Sequence, residues 1–404
     1  MNMAVPYRHL AIFTAAILML FLILFTAVTS AQPATLHLSQ TPPLEPLFPP
    51  GFLFEWFQQQ SGFIPDYQHF GAYVMEPAED VLYVGLSSAR PAETDGALVV
   101  SFAGDGLTAV GQPDEQGIHD MLWDGHDLHI VGTDPCCKDD WTAGNNYTFT
   151  LPDTWQKFRD PVQGLTNVVH SWGLWQDEDG ELFTAVGATI GDDQFSAQIF
   201  SSTDDGRQWN LLKDLGGYRA YDIIRYQRDL YATINEDPLG MMKLLRSEDD
   251  GRNWQPIFPD ELQRIRLVEF QNRLLAVSAD RHTIYAWDGR EHQVYDLPSE
   301  SKIGVTYRDA PSYTNYHYLV PVGDSLITVL ESQTFGFPVY TIARTTDLIH
   351  WQTLAETNRP LIALTYWPDK HLLLAAERGQ LAQIWQLNLA EIRTPPVLHN
   401  KSSR

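Results

Sequence analysis

Cysteine and basic residues are both scarce in this sequence. The only two cysteines are adjacent, and no CxxC spacing or neighbouring histidine accompanies them, which argues against a thiolate metal site. The 27 lysines and arginines are outnumbered by 51 aspartates and glutamates, so the formal net charge is −24. Such a chain repels phosphate backbones, and we expect no nucleic acid among its partners. The same charge favours solubility and suits cations or basic surfaces.

Short catalytic and metal-binding motifs are also missing. The sequence has no calcium loop of EF-hand spacing, no P-loop, no GxSxG elbow and no HExxH helix. We therefore predict no cofactor, no metal ion and no catalytic residue of these classes.

The N-terminal 31 residues are typical of an export signal. Arg8 precedes an apolar run at residues 10–28, and Thr29, Ser30 and Ala31 supply small residues for cleavage after Ala31. The run is also long enough to span a bilayer, so an uncleaved anchor is the alternative. Either outcome predicts a secreted or extracytoplasmic protein that touches a membrane only through this segment.

A repeated unit, in which a polar turn precedes an aliphatic strand, recurs along most of the chain. Neighbouring copies are between 44 residues (Leu230 to Leu274) and 54 residues (Leu128 to Leu182) apart. The seven anchor leucines are Leu82, Leu128, Leu182, Leu230, Leu274, Leu326 and Leu372. Such even spacing predicts an all-β fold, a β-propeller of seven four-stranded blades, with six or eight blades if an end blade is shared or misread.

Two near-identical turns, SSTDDGRQW and RSEDDGRNW, follow the pattern Ser-x-Asp-x-Gly-x-x-Trp. The pattern residues are Ser202, Asp204, Gly206 and Trp209 in the first copy and Ser247, Asp249, Gly251 and Trp254 in the second. Glycine tolerates the positive φ of a tight hairpin, serine and aspartate accept hydrogen bonds from turn amides, and tryptophan buries a large apolar face. Residues 345–351, TTDLIHW, form a shortened third copy without the glycine. We interpret these turns as structural elements.

These turns resemble the Asp-box of sialidase-like (BNR) propellers. Catalytic members of that family have an Arg-Ile-Pro motif, an arginine triad, a Tyr/Glu nucleophile pair and an acidic proton donor. Here GFIP at residues 62–65 lacks the arginine, and no other arginine lies in a matching motif. The resemblance therefore implies the fold and transfers no catalytic residue. The DW-x-x-GN-x-Y loop, followed by a strand that starts at a histidine, also resembles uncharacterised exported propellers.

Domain boundaries follow from composition. Residues 32–62 contain TPPLEPLFPP and are predicted to form a proline-rich linker. Its apolar end, residues 52–57, is predicted to add a strand to the last blade and close the ring. The propeller then covers residues 63–393, and residues 394–404 form a polar, disordered tail.

Polar residues at the start of innermost strands are the first candidate site. They lie on the face away from the Ser-x-Asp turns, where function is expected. Counting nine residues back from the anchor leucines selects His119, Tyr221 and His317, and allowing for a longer turn adds His170. These side chains could bind a ligand or a metal, or they could be water-bonded channel residues without a function.

A loop in the second blade is the other candidate site. It contains Cys136 and Cys137, for which we predict a strained vicinal disulfide, with thiolate metal binding as the alternative. The neighbouring Asp134, Asp139, Asp140 and Trp141 combine hydrogen-bonding groups with an aromatic face, which suits a carbohydrate.

We therefore predict an exported, non-catalytic propeller that binds a glycan or another envelope component. One alternative is a glycoside hydrolase or polysaccharide lyase that uses Asp134, Asp139, Asp140 or Asp222. A second alternative is a propeller that docks a protein partner.

Overall fold

The fold was determined as a computed structural model of the 404-residue chain. The structure describes residues 43–62, 70–87, 97–104, 106–111, 113, 115–135, 145–150, 154–159, 165, 167–191, 194–238, 240–258, 261–298, 300–305, 316–379 and 382–391.

In this described part of the chain, 29 strands form six antiparallel sheets. The first sheet contains β2 (Gly71–Ala78), β3 (Val81–Ser87), β4 (Leu98–Phe102) and β5 (Leu107–Gly111). An eight-stranded sheet contains β6 (Glu115–Trp123), β7 (Asp127–Pro135), β8 (Asn145–Thr150), β9 (Thr154–Arg159), β10 (Val168–Gln176), β11 (Leu182–Gly191), β12 (Gln194–Ser202) and β13 (Asn210–Gly216).

Two four-stranded sheets, one five-stranded sheet and a last four-stranded sheet follow along the chain. They contain β14 (Arg219–Tyr226), β15 (Asp229–Asn235), β16 (Met242–Ser247) and β17 (Gln255–Pro256), then β18 (Val268–Phe270), β19 (Arg273–Val277), β20 (Thr283–Trp287) and β21 (His292–Asp296). The five-stranded sheet contains β22 (Lys302–Ile303), β23 (Val320–Val322), β24 (Ser325–Thr334), β25 (Phe337–Thr345) and β26 (Gln352–Thr357). The last sheet joins β27 (Leu361–Trp367), β28 (Leu372–Glu377) and β29 (Ile384–Asn388) to β1 (Glu45–Pro46).

The blade count differs from the prediction of seven separate blades. Five sheets are separate blades of four or five strands, whereas the two meanders β6 to β9 and β10 to β13 belong to one continuous sheet. The joint is the pairing of His170 in β10 with Thr133 in β7. The spacing of the anchor leucines indicates where hairpins lie within each meander. It cannot indicate whether strands of neighbouring meanders pair with each other. The predicted all-β propeller fold is confirmed, but seven separate blades are not.

The innermost strands surround a central channel. Strands β2, β6, β10 and β14 contact each other in that order, β18 contacts β23, β23 contacts β27, and β27 returns to β2. The Leu267 amide, just before β18, donates to Asp222 Oδ2 in β14 at 2.6 Å and connects these two strands. The ring is therefore closed by contacts between its first and last blades.

The N-terminal segment contributes a strand and a helix. Strand β1 pairs with β29 through Glu45 and Gln386, so the chain start supplies the outermost strand of the last blade. Residues 52–57, predicted as a strand, instead begin helix α1 (Phe52–Ser61). The prediction was wrong because Leu53, Phe54 and Phe57 fall on one helical face, which is buried against the first and last blades.

The Ser-x-Asp turns connect β12 to β13 and β16 to β17. In the first turn, the Gly206 amide donates to Ser202 Oγ at 3.0 Å, and the Gln208 amide donates to Asp204 Oδ1 at 2.8 Å. The Gly206 φ of 74° lies in the left-handed region, and Trp209 is buried. These hydrogen bonds use both the hydroxyl and the carboxylate of the motif, so the side chains satisfy their own turn.

The second turn and the shortened copy use the same contacts. The Gly251 amide donates to Ser247 Oγ at 2.8 Å, and the Asn253 amide donates to Asp249 Oδ1 at the same distance. In the shortened copy the buried Leu348 takes the glycine position with a φ of 64°.

The apolar core lies between adjacent sheets. All anchor leucines except the half-buried Leu372 are buried. No helix within the described ranges is both long enough and apolar enough to cross a bilayer.

We expect α1 to contribute strongly to stability. Phe57 is 1% exposed, and its ring centroid lies 5.0 Å from that of Phe70. Phe57→Ala should lower the free energy of unfolding by about 3–5 kcal/mol, as other buried Phe-to-Ala changes do. The exposed Gln59→Ala on the same helix is the control, and chemical denaturation measures both. A Phe57→Ala variant as stable as the wild type would show that α1 contributes little to the stability of the fold.

The Ser202 hydroxyl should matter for stability alone. Ser202→Ala removes the acceptor of the buried Gly206 amide and should cost about 1–3 kcal/mol in unfolding free energy. The adjacent, exposed Thr203→Ala should change little. An unchanged melting temperature in Ser202→Ala would contradict this structural role.

Candidate functional site

Aromatic residues occupy the bulges of three consecutive innermost strands, β6, β10 and β14, and similar bulges occur at Tyr73 in β2 and at Ile362 in β27. The pairing register shifts between Ile118 and Asp120 in β6, between Ser171 and Gly173 in β10, and between Ala220 and Asp222 in β14. The extra residue at each bulge is His119, Trp172 or Tyr221. A bulge re-aims its side chain, and here it brings three aromatic rings together.

The bulge residues form a continuous aromatic arc. The Trp172 ring centroid lies 4.7 Å from that of His119 and 4.9 Å from that of Tyr221, with which it stacks. Tyr73 extends the arc at 6.1 Å from His119. All four side chains are buried. His119 Nε2 also hydrogen-bonds Thr133 Oγ1 at 3.1 Å.

Arg219 lies beside this arc at the start of β14. Its Nη2 donates to His170 Nε2 at 3.1 Å, and its Cζ lies over the rings of Tyr218 (4.5 Å), Phe195 (5.4 Å) and Trp172 (5.8 Å). We call these five residues the Arg219 cluster. Because a guanidinium group only donates hydrogen bonds, His170 Nε2 carries no proton and accepts this bond with its lone pair.

Glycine on the neighbouring strand makes room for this arrangement. A Cβ atom at Gly187 in β11 would lie 2.7 Å from Arg219 Cγ. The Arg219 stem can therefore lie flat across β11 only because that position has no side chain.

A second group of charges crosses the channel. Arg266, which precedes β18, forms an ion pair through Nη1 with Asp120 in β6 and donates through Nη2 to the Leu174 carbonyl at 2.7 Å. Glu76, Asp222 and His317 complete what we call the Arg266 network. This network joins blades that are not neighbours in the chain.

The carboxylates of the Arg266 network also accept main-chain hydrogen bonds from the next innermost strand. Glu76 accepts from the Trp123 amide at 3.0 Å, Asp120 from the Leu174 amide at 2.8 Å, and Asp222 from the Leu267 amide. Asp222 uses its other oxygen for the Ile223 amide at 3.0 Å. Both Asp222 oxygens are thus engaged by the backbone, which makes this residue structural.

Burial changes the acid strength of the Arg266 network. Loss of solvent raises the pKa of Asp222 to about 7, against the opposing attraction of Arg266, and does the same for Glu76. Burial also lowers the pKa of His317, although nearby Asp120 opposes that change. His317 Nε2 donates to the His119 carbonyl at 3.2 Å.

The predicted channel residues divide between these two groups. His119, Tyr221 and His170 surround Trp172, whereas His317 lies in the Arg266 network. Trp172, rather than His170, occupies the bulge equivalent to His119 and Tyr221. The nine-residue count used for His119 and Tyr221 falls on Gly173 in β10, which is one residue beyond the bulge.

The predicted loop site lies largely outside the described residues. Cys136, Cys137, Asp139, Asp140 and Trp141 are in the undescribed range 136–144, and the Asp134 side chain is also not described. The vicinal disulfide therefore stays a prediction. Across the ranges that are described, no group of three His, Cys, Asp or Glu side chains could hold a metal ion.

Sequence reasoning missed the two arginines that organise the site. Arg219 and Arg266 are unremarkable in the sequence, because their importance comes from residues that lie far away along the chain. A local signal exists only for Trp172, an aromatic residue near the position that the repeat selects.

The fold and these innermost-strand clusters define the protein as a β-propeller. The propeller domain of the Trilobed protease from Pyrococcus furiosus, described as having an open velcro topology, superposes with a TM-score of 0.52 at 8% identity, over 81% of this chain and 100% of that one. At this identity the likeness shows a shared fold only.

Two further solved structures are similar at lower TM-scores. A protein of unknown function from Dyadobacter fermentans has a TM-score of 0.47 at 13% identity, over 67% of this chain and 93% of its own. YCF48 bound to a D1 peptide has a TM-score of 0.38 at 13% identity, over 67% of this chain and 90% of that one. Both superpose too loosely to support an inference. No protein-family model and no curated protein matches the chain, so the sialidase-like resemblance stays a prediction.

We expect stability to fall as the pH rises through the titration of Asp222. Its pKa is about 7 in the folded protein, against 3.8 for an ordinary aspartate. Between these values the folded state keeps a proton that the unfolded state has released, so raising the pH destabilises the fold by up to about 1.4 kcal/mol per pH unit. Melting temperatures measured between about pH 5 and about pH 8 test this.

The matched variant for this measurement is Asp222→Asn, which cannot titrate. Other groups, including His317, titrate in both proteins and cancel in the comparison. The melting temperature of the wild type minus that of the variant should therefore increase as the pH falls. A constant difference would contradict a raised Asp222 pKa.

Proposed function

We propose that the protein is an exported, non-catalytic β-propeller that binds a glycan at the Arg219 cluster. This cluster lies at the start of β10, β12 and β14 and the end of β13, on the face opposite the Ser-x-Asp turns. The apolar run at residues 10–28 supports export, either as a cleaved signal or as an anchor.

One observation carries the proposal, namely a pair of half-buried aromatic rings next to a buried polar cluster. Phe195 and Tyr218 lie 5.0 Å apart at an interplanar angle of 63°, and both retain accessible surface. Sugar rings pack on such faces, while neighbouring donors and acceptors bind their hydroxyl groups. His170 and Arg219 provide hydrogen-bonding groups beside these rings.

The position of Asp222 argues against this residue as the catalytic acid, whereas Asp134, Asp139 and Asp140 lie outside the described side chains. Asp222 is an acid that an innermost strand brings close to the aromatic arc, yet its two oxygens accept amides of Ile223 and Leu267. A general acid or nucleophile needs an oxygen that faces the substrate. The Arg266 network therefore supports the ring rather than a reaction.

A glycan array tests the proposal when it is run with three variants. Phe195→Ala and Tyr218→Ala should each weaken binding at least tenfold, because each removes one stacking face. Phe335→Ala is the matched control, since Phe335 is exposed on the same face but belongs to the distant β24–β25 hairpin. The three melting temperatures should stay within a few degrees of the wild type.

Two outcomes would contradict the proposal. Glycan binding that is unaffected by Phe195→Ala and Tyr218→Ala would place the site elsewhere. Turnover of fluorogenic glycosides by the wild-type protein would show that the propeller is an enzyme.

Docking of a protein partner is the second candidate function. At the tip of the β24–β25 hairpin, Phe335 is 97% exposed and Phe337 is 74% exposed. Large exposed apolar side chains favour a protein contact. A partner recovered by crosslinking that is lost in Phe335→Ala/Phe337→Ala, but retained in Phe195→Ala, would favour docking over glycan binding.

A further inference from the structure

We propose that Arg219 binds an oxyanion of the ligand, so that the site selects acidic over neutral molecules. This inference rests on the proposed function, because it assigns a ligand class to the same site. It starts from the charge of Arg219, which the fold buries without a carboxylate partner.

Arg219 is 7% exposed, and its side chain forms no ion pair with any carboxylate in the described part of the chain. A buried cation is costly unless an anion or several hydrogen bonds compensate for it. The chain has acidic residues in excess, with 51 against 27 basic ones, so an internal carboxylate would have been easy to supply.

Other arginines show what the usual compensation looks like in this protein. Arg225 pairs with Asp177 at 3.5 Å, Arg281 pairs with Glu331 at 3.6 Å, and Arg266 pairs with Asp120. Arg219 instead donates one hydrogen bond to the uncharged nitrogen of His170. Three arginines therefore pair with carboxylates, whereas Arg219 has no carboxylate partner among the described residues.

Aromatic rings compensate for part of this charge but not all of it. Tyr218, Phe195 and Trp172 offer their faces to the Arg219 guanidinium, and such contacts hold a cation without neutralising it. They also keep the guanidinium plane in a fixed orientation, which is how arginine presents its donors to a planar oxyanion.

Two N–H groups in the cluster lack an acceptor. Neither Arg219 Nε nor Trp172 Nε1 has a hydrogen-bond partner among the described residues, although both atoms are buried. Both groups can only donate, so the partner they require is an oxygen-rich acceptor. A carboxylate, sulfate or phosphate group of a ligand is such an acceptor and also neutralises the Arg219 charge, whereas a neutral hydroxyl group does not neutralise it.

Thermal stability without a ligand is the first test, and Arg219→Met is the informative variant. Methionine keeps an unbranched apolar stem between the aromatic rings and removes the uncompensated charge. If Arg219 is buried in order to bind a ligand, the melting temperature of ligand-free Arg219→Met should equal or exceed that of the ligand-free wild type. If Arg219 is a structural residue, the melting temperature should fall by several degrees.

Anion binding is the second test, and it is measured at constant ionic strength. Sodium acetate, sulfate and phosphate should each be titrated against the wild type, Arg219→Met, Arg219→Lys and the control Arg207→Gln. Arg207 is exposed on a Ser-x-Asp turn, on the opposite face. We expect saturable stabilisation of the wild type and Arg207→Gln, binding at least tenfold weaker in Arg219→Met, and partial retention in Arg219→Lys. The anion that binds best identifies the group on the ligand.

A matched ligand pair connects the anion to the glycan. Methyl glucuronide and methyl glucoside differ only at C6, where a carboxylate replaces a hydroxymethyl group, so the wild type should prefer the glucuronide at least tenfold and Arg219→Met should lose this preference. No saturable anion effect in the wild type, or the same effect in Arg219→Met, would overturn the inference. Binding of neutral glycans that depends on Phe195 would then leave the proposed function in place.

Discussion

The ion pair between Arg266 and Asp120 crosses the central channel and connects strands of non-neighbouring blades. A propeller is otherwise held together by contacts between adjacent blades, so a side chain that spans the channel couples distant parts of the ring. Asp120 also accepts the Leu174 amide, and Arg266 donates to the Leu174 carbonyl, so one pair fixes β6, β10 and the segment before β18 together. The bulges beside Asp120 and Leu174 then hold His119 and Trp172 at one level of the channel.

Arg219, which is buried, and Arg266, which is half-buried, have different kinds of partner. Arg266 is surrounded by Asp120, Asp222 and Glu76, and loss of solvent raises the pKa of the last two although the attraction of Arg266 opposes it. Among the described residues, the Arg219 guanidinium contacts aromatic faces and one imidazole nitrogen and forms no ion pair. The Arg266 charge joins distant strands of the ring, and the Arg219 charge is the one that we assign to a ligand.

Most of the repeat architecture could be predicted, because hairpins are local. The anchor leucines, the Ser-x-Asp turns and the aromatic residues at His119 and Tyr221 all follow from spacing within one repeat. The prediction was wrong where a contact joins distant segments. The pairing of His170 with Thr133 merges two meanders into one sheet, and the segment at residues 52–57 is a helix because blades from both ends of the chain offer it an apolar surface.

The sequence by itself determined the all-β propeller class and the positions of its hairpins, since each depends on the order of residues within a few tens of positions. The tertiary structure alone decided which strands merge, that Trp172 rather than His170 occupies the bulge, and that Arg219 is buried without a carboxylate partner among the described residues. The physical reason is that burial and charge compensation depend on the distance between side chains in space. Blades that meet around a channel bring together residues such as Asp120 and Arg266, which no local pattern connects.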